Sequence, residues 1–261
     1  MRVCLDVGAA WGDFSRDVAR KKFFDSFYLV EPNDYFNGDI MRIKKSKVIN
    51  VAVVPKGLAG SPVILYKTAN RELSSVLPPR DLSGEELWSS HSEGFRTNEV
   101  TLVESAELDD IIRRVRFETK FTSLLLKIDI QGLDFAVLSD SQLISEADIV
   151  VLEVPYNSGV SLSNSPTELS LRDVMTGLNK IGFQVLRVVP NGGGEANITL
   201  FSNRLNLMQA LALEEVSGFS TSWVLKLGPK PLSAKWLTLI RNLRSKFLSP
   251  AIRLQSHPKD L

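Results

Sequence analysis

At 261 residues with 44% hydrophobic side chains, the chain is long enough to bury one large α/β core. Its 31 basic and 30 acidic residues cancel, which excludes an overall field that would recruit nucleic acid. A single cysteine, Cys4, excludes a disulfide framework or a cysteine-built metal cluster, and no apolar run approaches the roughly eighteen residues a membrane span needs.

Arg2 leads straight into an apolar strand at 2–7, so no signal peptide is expected and a cytoplasmic setting is. A helix is expected near 11–21 with Phe14, Val18 and Ala19 on its inner face, then a strand at 26–31 and a shorter helix to about 43. Strand three is expected at 47–54. The segment 55–103 breaks the alternation. Pro, Gly and Ser punctuate it around a hairpin near 63–67, and its length marks a substrate-facing cover. Leu108, Ile111, Ile112 and Val115 repeat at helical spacing ahead of strand four at 123–129. Strand five at 149–153, a helix near 167–181, strand six at 183–189 and strand seven at 196–201 complete the pattern. Short strands alternating with amphipathic helices predict an α/β fold: a Rossmann-like, seven-stranded, mostly parallel sheet with helices on both faces. Strands four and five are near-continuously apolar, as strands buried on both faces are.

From Gly228 onward there are seven Lys or Arg and one acid, with Trp236, Ile240, Leu243 and Phe247 at helical spacing. Two units follow: a domain at 1–227 and a basic amphipathic tail at 228–261. The tail suits dimerisation or peripheral membrane contact.

The chemistry is expected where ligands bind open parallel sheets, outside the carboxyl ends of the strands. Asp6-Val7-Gly8-Ala9-Ala10-Trp11-Gly12 joins strand one to its helix, and Glu31-Pro32-Asn33 ends strand two. The turn fails the dinucleotide spacing Gly-x-Gly-x-x-Gly, because Ala10 and Asp13 stand at the second and third positions. An acid before the first glycine suits a cofactor with a cationic amino-acid end and no phosphate, namely S-adenosylmethionine. Asp6 would bind its ammonium, directly or through water. Gly8 and Gly12 would let the turn pass beneath it, with Ala9, Ala10 and Phe14 completing that wall. Glu31, with Pro32 beside it, would take the ribose hydroxyls, and Asn50, Val51 and Ala52 would line the adenine edge. Asp129 faces the activated methyl as the catalytic candidate and a cofactor contact. On the acceptor side the candidates are Ser74, Ser75, His91, Gln131 and Glu153. No paired-histidine ligand set appears, so no metal is expected. A non-catalytic binding protein of the same fold, a nicotinamide dehydrogenase and a simple nucleotide binder remain alternatives.

Read together, these blocks resemble the FkbM family of S-adenosylmethionine-dependent methyltransferases. The resemblance rests on the Asp6–Gly12 turn, Val30-Glu31-Pro32-Asn33, Asn50-Val51-Ala52-Val53, Ser74-Ser75-Val76, Leu108-Asp109-Asp110-Ile111, Leu126-Lys127-Ile128-Asp129-Ile130-Gln131-Gly132 and Leu152-Glu153-Val154. It implies a class I methyltransferase core with an antiparallel last strand. It also implies O-methylation of a hydroxyl on a glycan, nucleotide-sugar or small metabolite. Two positions depart from the family pattern. Ala10 stands where Asn is usual, and Leu133-Asp134 follows Gly132 where Ala-Glu is usual.

Overall fold

The computed structural model describes residues 1–79, 93–155, 171–192 and 195–217. The chain opens with β1 (Arg2–Val7), α1 (Asp13–Arg20), β2 (Ser26–Val30), a 3-10 turn at Asp34–Phe36, α2 (Asn37–Ile40) and β3 (Ser46–Ile49). Next come β4 (Ala52–Val53), β5 (Val63–Thr68), β6 (Thr97–Val103), β7 (Ser105–Ala106) and α3 (Leu108–Thr119). β8 (Ser123–Ile128), α4 (Asp134–Asp140), β9 (Ile149–Pro155), α5 (Leu171–Lys180), β10 (Phe183–Gly192), β11 (Glu195–Ser202) and α6 (Leu207–Ser217) complete it.

Seven strands form one sheet in the order β3-β2-β1-β8-β9-β11-β10. The pairs from β3 to β9 are parallel, and β11 runs antiparallel to both its neighbours. The expected mixed topology, with its antiparallel last strand, is what the chain adopts.

Side-chain alternation along the strands sorts the core into two layers. Val3, Leu5, Val7, Leu124, Leu126, Ile128, Val150 and Leu152 pack with α3, α4 and α5 on one face. Cys4, Phe27, Leu29, Leu125, Ile149 and Val151 pack on the other face with Phe14 and Val18 of α1, Ile40 of α2 and Ala210 of α6. Each fully buried aliphatic side chain in these layers contributes about 1.5–3 kcal/mol. In α3, Leu108, Ile111, Ile112 and Val115 fall at the i, i+3, i+4, i+7 spacing that makes one buried stripe. Asp109 of that helix is buried for another reason. Its carboxylate accepts from Ser141 Oγ and from the Gln142 and Leu143 N–H groups, tying down the loop after α4.

Strand three is shorter than its sequence pattern. β3 stops at Ile49, because β2 ends at Val30 and no neighbour remains to pair. The Val51 N–H turns back to the Ile49 carbonyl, and Ala52–Val53 leaves the sheet to pair with β7. Apolar alternation alone cannot signal the loss of a partner strand. The segment 55–103 contains an antiparallel hairpin, β5 with β6, and Tyr66 and Ser75 exchange backbone bonds beside it. The helix expected at 167–181 is seen as α5; its first four positions, His91 and the tail 228–261 lie outside the described residues. Among those described, no helix is long and apolar enough to cross a membrane.

Gly8 shows how tightly the two central strands approach. Its φ is +75°, and a Cβ built there would sit 1.7 Å from the Asp129 carbonyl oxygen. Gly8→Ala is expected to cost about 3 kcal/mol or more, lowering the melting temperature by roughly 10 °C in a domain of this size. Thermal denaturation of the variant checks this.

Candidate active site

Parallel register makes Asp6 of β1 and Lys127 of β8 direct neighbours on the α1 face. Lys127 is almost completely buried, and its ammonium reaches both strand ends. Nζ donates to the Gly8 carbonyl at 2.8 Å and lies 3.3 Å from Asp6 Oδ1 and 3.2 Å from Asp129 Oδ2. Although burial works against its charge, the Asp129 and Asp6 carboxylates hold this ammonium above its ordinary range. Asp6 is wholly buried, and its other oxygen accepts from Ser15 Oγ of α1 at 2.7 Å. The acid expected at the cofactor's ammonium is therefore engaged with Lys127 and the first turn of α1.

Lys127 was missed among the candidate residues, although its signal was in the sequence. A lysine within Leu124-Leu125-Leu126-Lys127-Ile128, in a strand buried on both faces, demands buried counter-charges. Beyond it, Asp129 is partly exposed, with Oδ1 accepting from Gln131 Nε2 at 3.0 Å. Lys127 on the strand and Gln131 in the turn beyond it thus place a cation and an amide on the two oxygens of one carboxylate.

Gln131 adopts a left-handed backbone, φ +56°, and Gly132 follows at +103°. Asp134 holds this turn closed by accepting from the Ile130 N–H at 2.9 Å and the Gly132 N–H at 3.0 Å. Burial first, and then the nearby Asp129 charge, raise Asp134 to about 6. The shorter acid in place of the family's usual Glu thus serves as a backbone clamp.

The first turn is organised by Glu31. Its carboxylate is buried, and it accepts from the Ala10 and Asn33 N–H groups, each at 2.8 Å. Burial outweighs these bonds and lifts Glu31 to about 7. Ala10 sits at φ +44°. Asn tolerates this region better than Ala, which gives a backbone reason for the family's preference. Gly12 caps α1 at φ +73°, where a Cβ would meet Ile43 at 2.7 Å.

Of the other candidates, Ala9 and Phe14 are buried in the apolar layer beneath α1, and Phe14 serves the core. Pro32 is half-buried next to Glu31. Asn50 donates to the Glu31 carbonyl at 3.1 Å and exchanges bonds with Asn37. Val51 is in the turn beyond β3, and Ala52 is buried on β4, outside the main sheet.

On the acceptor side, Ser75 Oγ donates to the Gln131 carbonyl at 3.0 Å, latching the segment after β5 onto the Asp129 loop. Ser74 Oγ donates to the Arg71 carbonyl, within its own loop. Glu153 is half-buried near the end of β9, adjacent in register to Asp129. Trp11, Tyr35 and Phe36 form an edge-to-face cluster on which Arg71 stacks at 3.9 Å, docking the inserted segment against the first turn. Among the described residues, no group of three or more His, Cys, Asp or Glu converges as a metal site.

A seven-stranded sheet of this order, with a Gly-rich first turn and an acid ending the second strand, defines the class I methyltransferase architecture. The Methyltransferase FkbM domain description matches residues 6–181. The chain belongs to that family, and the protein is an S-adenosylmethionine-dependent methyltransferase. Two solved structures are similar at a distance. One is a SAM dependent methyltransferase from Aquifex aeolicus, 12% identical, covering 77% of this chain and 82% of its own at a TM-score of 0.37. The other is LaPhzM, 10% identical, covering 77% of this chain and 50% of its own at a TM-score of 0.37. No match is found among curated proteins.

Two measurements test the site's electrostatics. Lys127→Met leaves the buried Asp6 carboxylate and the partly exposed Asp129 carboxylate without their cation and is expected to cost about 3–5 kcal/mol, read by chemical denaturation. Glu31 binds its proton more tightly folded, at about 7, than at the ordinary 4.5, so its contribution is complete below 4.5 and is lost as pH rises through 7. The wild type should therefore lose more melting temperature between pH 5 and pH 8 than Glu31→Gln does.

Proposed function

We propose that this methyltransferase moves the methyl group of S-adenosylmethionine to a hydroxyl oxygen of a glycan, nucleotide-sugar or small metabolite. The carrying observation is Asp129, a partly exposed carboxylate at the end of β8, fixed on both oxygens beside the Gly8 turn. The residues present fit the cofactor. Glu31 keeps a second lone pair on each oxygen for the ribose hydroxyls, and Asn33 Nδ2, fully buried next to it, has no hydrogen-bond partner.

In this reading Glu31 and Asn33 hold the nucleoside, and Asn50 stands at its base edge. Asp6 acts by fixing Lys127 and α1. Bound S-adenosylmethionine supplies an electrophilic methyl on a sulfonium whose leaving group is neutral. Asp129 accepts a hydrogen bond from the acceptor hydroxyl, orients its oxygen in line and takes up the proton that oxygen loses as it gains the methyl group, so positioning supplies much of the rate. The Lys127 ammonium, 3.2 Å from Oδ2, fixes the position of that carboxylate. The described residues beside Ser75, latched to the Gln131 carbonyl, would cover the acceptor.

Calorimetry with S-adenosylhomocysteine tests the donor half. The wild type should bind, and Glu31→Ala should weaken binding at least about tenfold, equivalent to roughly 1.4 kcal/mol. Asp129→Asn should lower turnover by about a hundredfold with little loss of cofactor affinity. Equal losses in both would make Asp129 a cofactor ligand only.

A further inference from the structure

The acceptor side contains a second polar group outside the family-matched residues 6–181. Asn197 is on β11, directly opposite Glu153 of β9, while Ile128 of β8 is in register with Leu152. The next residues along, Asp129 and Glu153, therefore share one sheet face with Asn197. The three form a polar row across three adjacent strands, in the layer that holds Asp6 and Lys127. One row further back, Arg187 of β10 is fully engaged, its guanidinium pairing with Glu214 of α6 at 2.8 and 3.0 Å.

Asn197 is 7% exposed, and its Nδ2 has no hydrogen-bond partner. Leaving a buried amide donor unmatched costs about 1–3 kcal/mol, and a leucine of similar size would avoid that cost. A partner from outside the chain accounts for the asparagine. The NH2 group can only donate, so that partner is an acceptor atom, which on a hydroxylated substrate is an oxygen. Two strand spacings separate Asp129 from Asn197, about 10 Å. An acceptor reaching both carries a second oxygen remote from the one being methylated.

We propose that Asn197 is an acceptor-binding residue whose Nδ2 holds a second oxygen of a polyhydroxylated acceptor, with Glu153 between it and Asp129. This rests on the O-methyl transfer reading above. A monohydric alcohol cannot span the row, whereas a sugar can.

The test is Asn197→Leu, assayed with methyl-labelled S-adenosylmethionine on methyl α-glucopyranoside and UDP-glucose. S-adenosylhomocysteine calorimetry and melting temperature are measured on the same samples. Expected are an unchanged or higher melting temperature, cofactor affinity within about twofold of wild type, and transfer reduced about tenfold. A fall in melting temperature would show that the amide serves the fold, and it overturns the proposal. So does transfer equal to wild type. If the wild type binds S-adenosylhomocysteine but methylates neither sugar, the polyhydroxylated-acceptor proposal is overturned while the methyl-transfer reading stands. If it does not bind S-adenosylhomocysteine, that reading fails and this proposal with it.

Discussion

The site depends on one buried cation. Lys127 joins three things that sequence holds far apart: the Asp6 carboxylate, the Gly8 carbonyl and the Asp129 carboxylate. Removing an ammonium from water costs several kcal/mol, recovered only because two carboxylates and a carbonyl converge on it. That convergence sets the register of β1 against β8 and the separation of the two loops leaving them. The close approach at Gly8 is the steric side of the same constraint.

Around that cation, each loop is closed by an acid acting on backbone amides. Glu31 closes the first turn onto the end of β2, and Asp134 closes the turn after β8. Both acids are buried and shifted upward, and both sit next to left-handed residues, Ala10 and Gln131. The strain in each turn is thus compensated locally, and the carboxylate at the acceptor edge is free of that task.

Much of this was legible because chemistry and periodicity agreed. The parallel strands, α1 and α3 followed from apolar spacing, and the edge positions of Glu31 and Asp129 followed from polar residues ending apolar strands. Other parts were hidden for physical reasons. The pattern of 47–54 stays strand-like although its partner strand ends, so the split into β3 and β4 is a tertiary event. α4 is seven residues long and carries little periodic signal. In the sequence Asp6 shows only as an acid, and its pairing with the distant Lys127 is visible only in the fold. Asn197 carried no motif at all; only the register opposite Glu153 makes it notable.

The central pairing of β1 with β8 has a consequence for assembly. Lys127 and Gly8 are 119 residues apart, yet they meet at the middle of the sheet. A chain emerging from the ribosome completes β1, β2 and β3 long before β8 exists, leaving one edge of β1 without a partner. Contacts of such separation are slow to form, since loop closure precedes the contacts that compensate for it. The donor site is consequently among the last parts of the molecule to take shape. An unfinished chain displays an open strand edge where the finished enzyme has a buried ion pair.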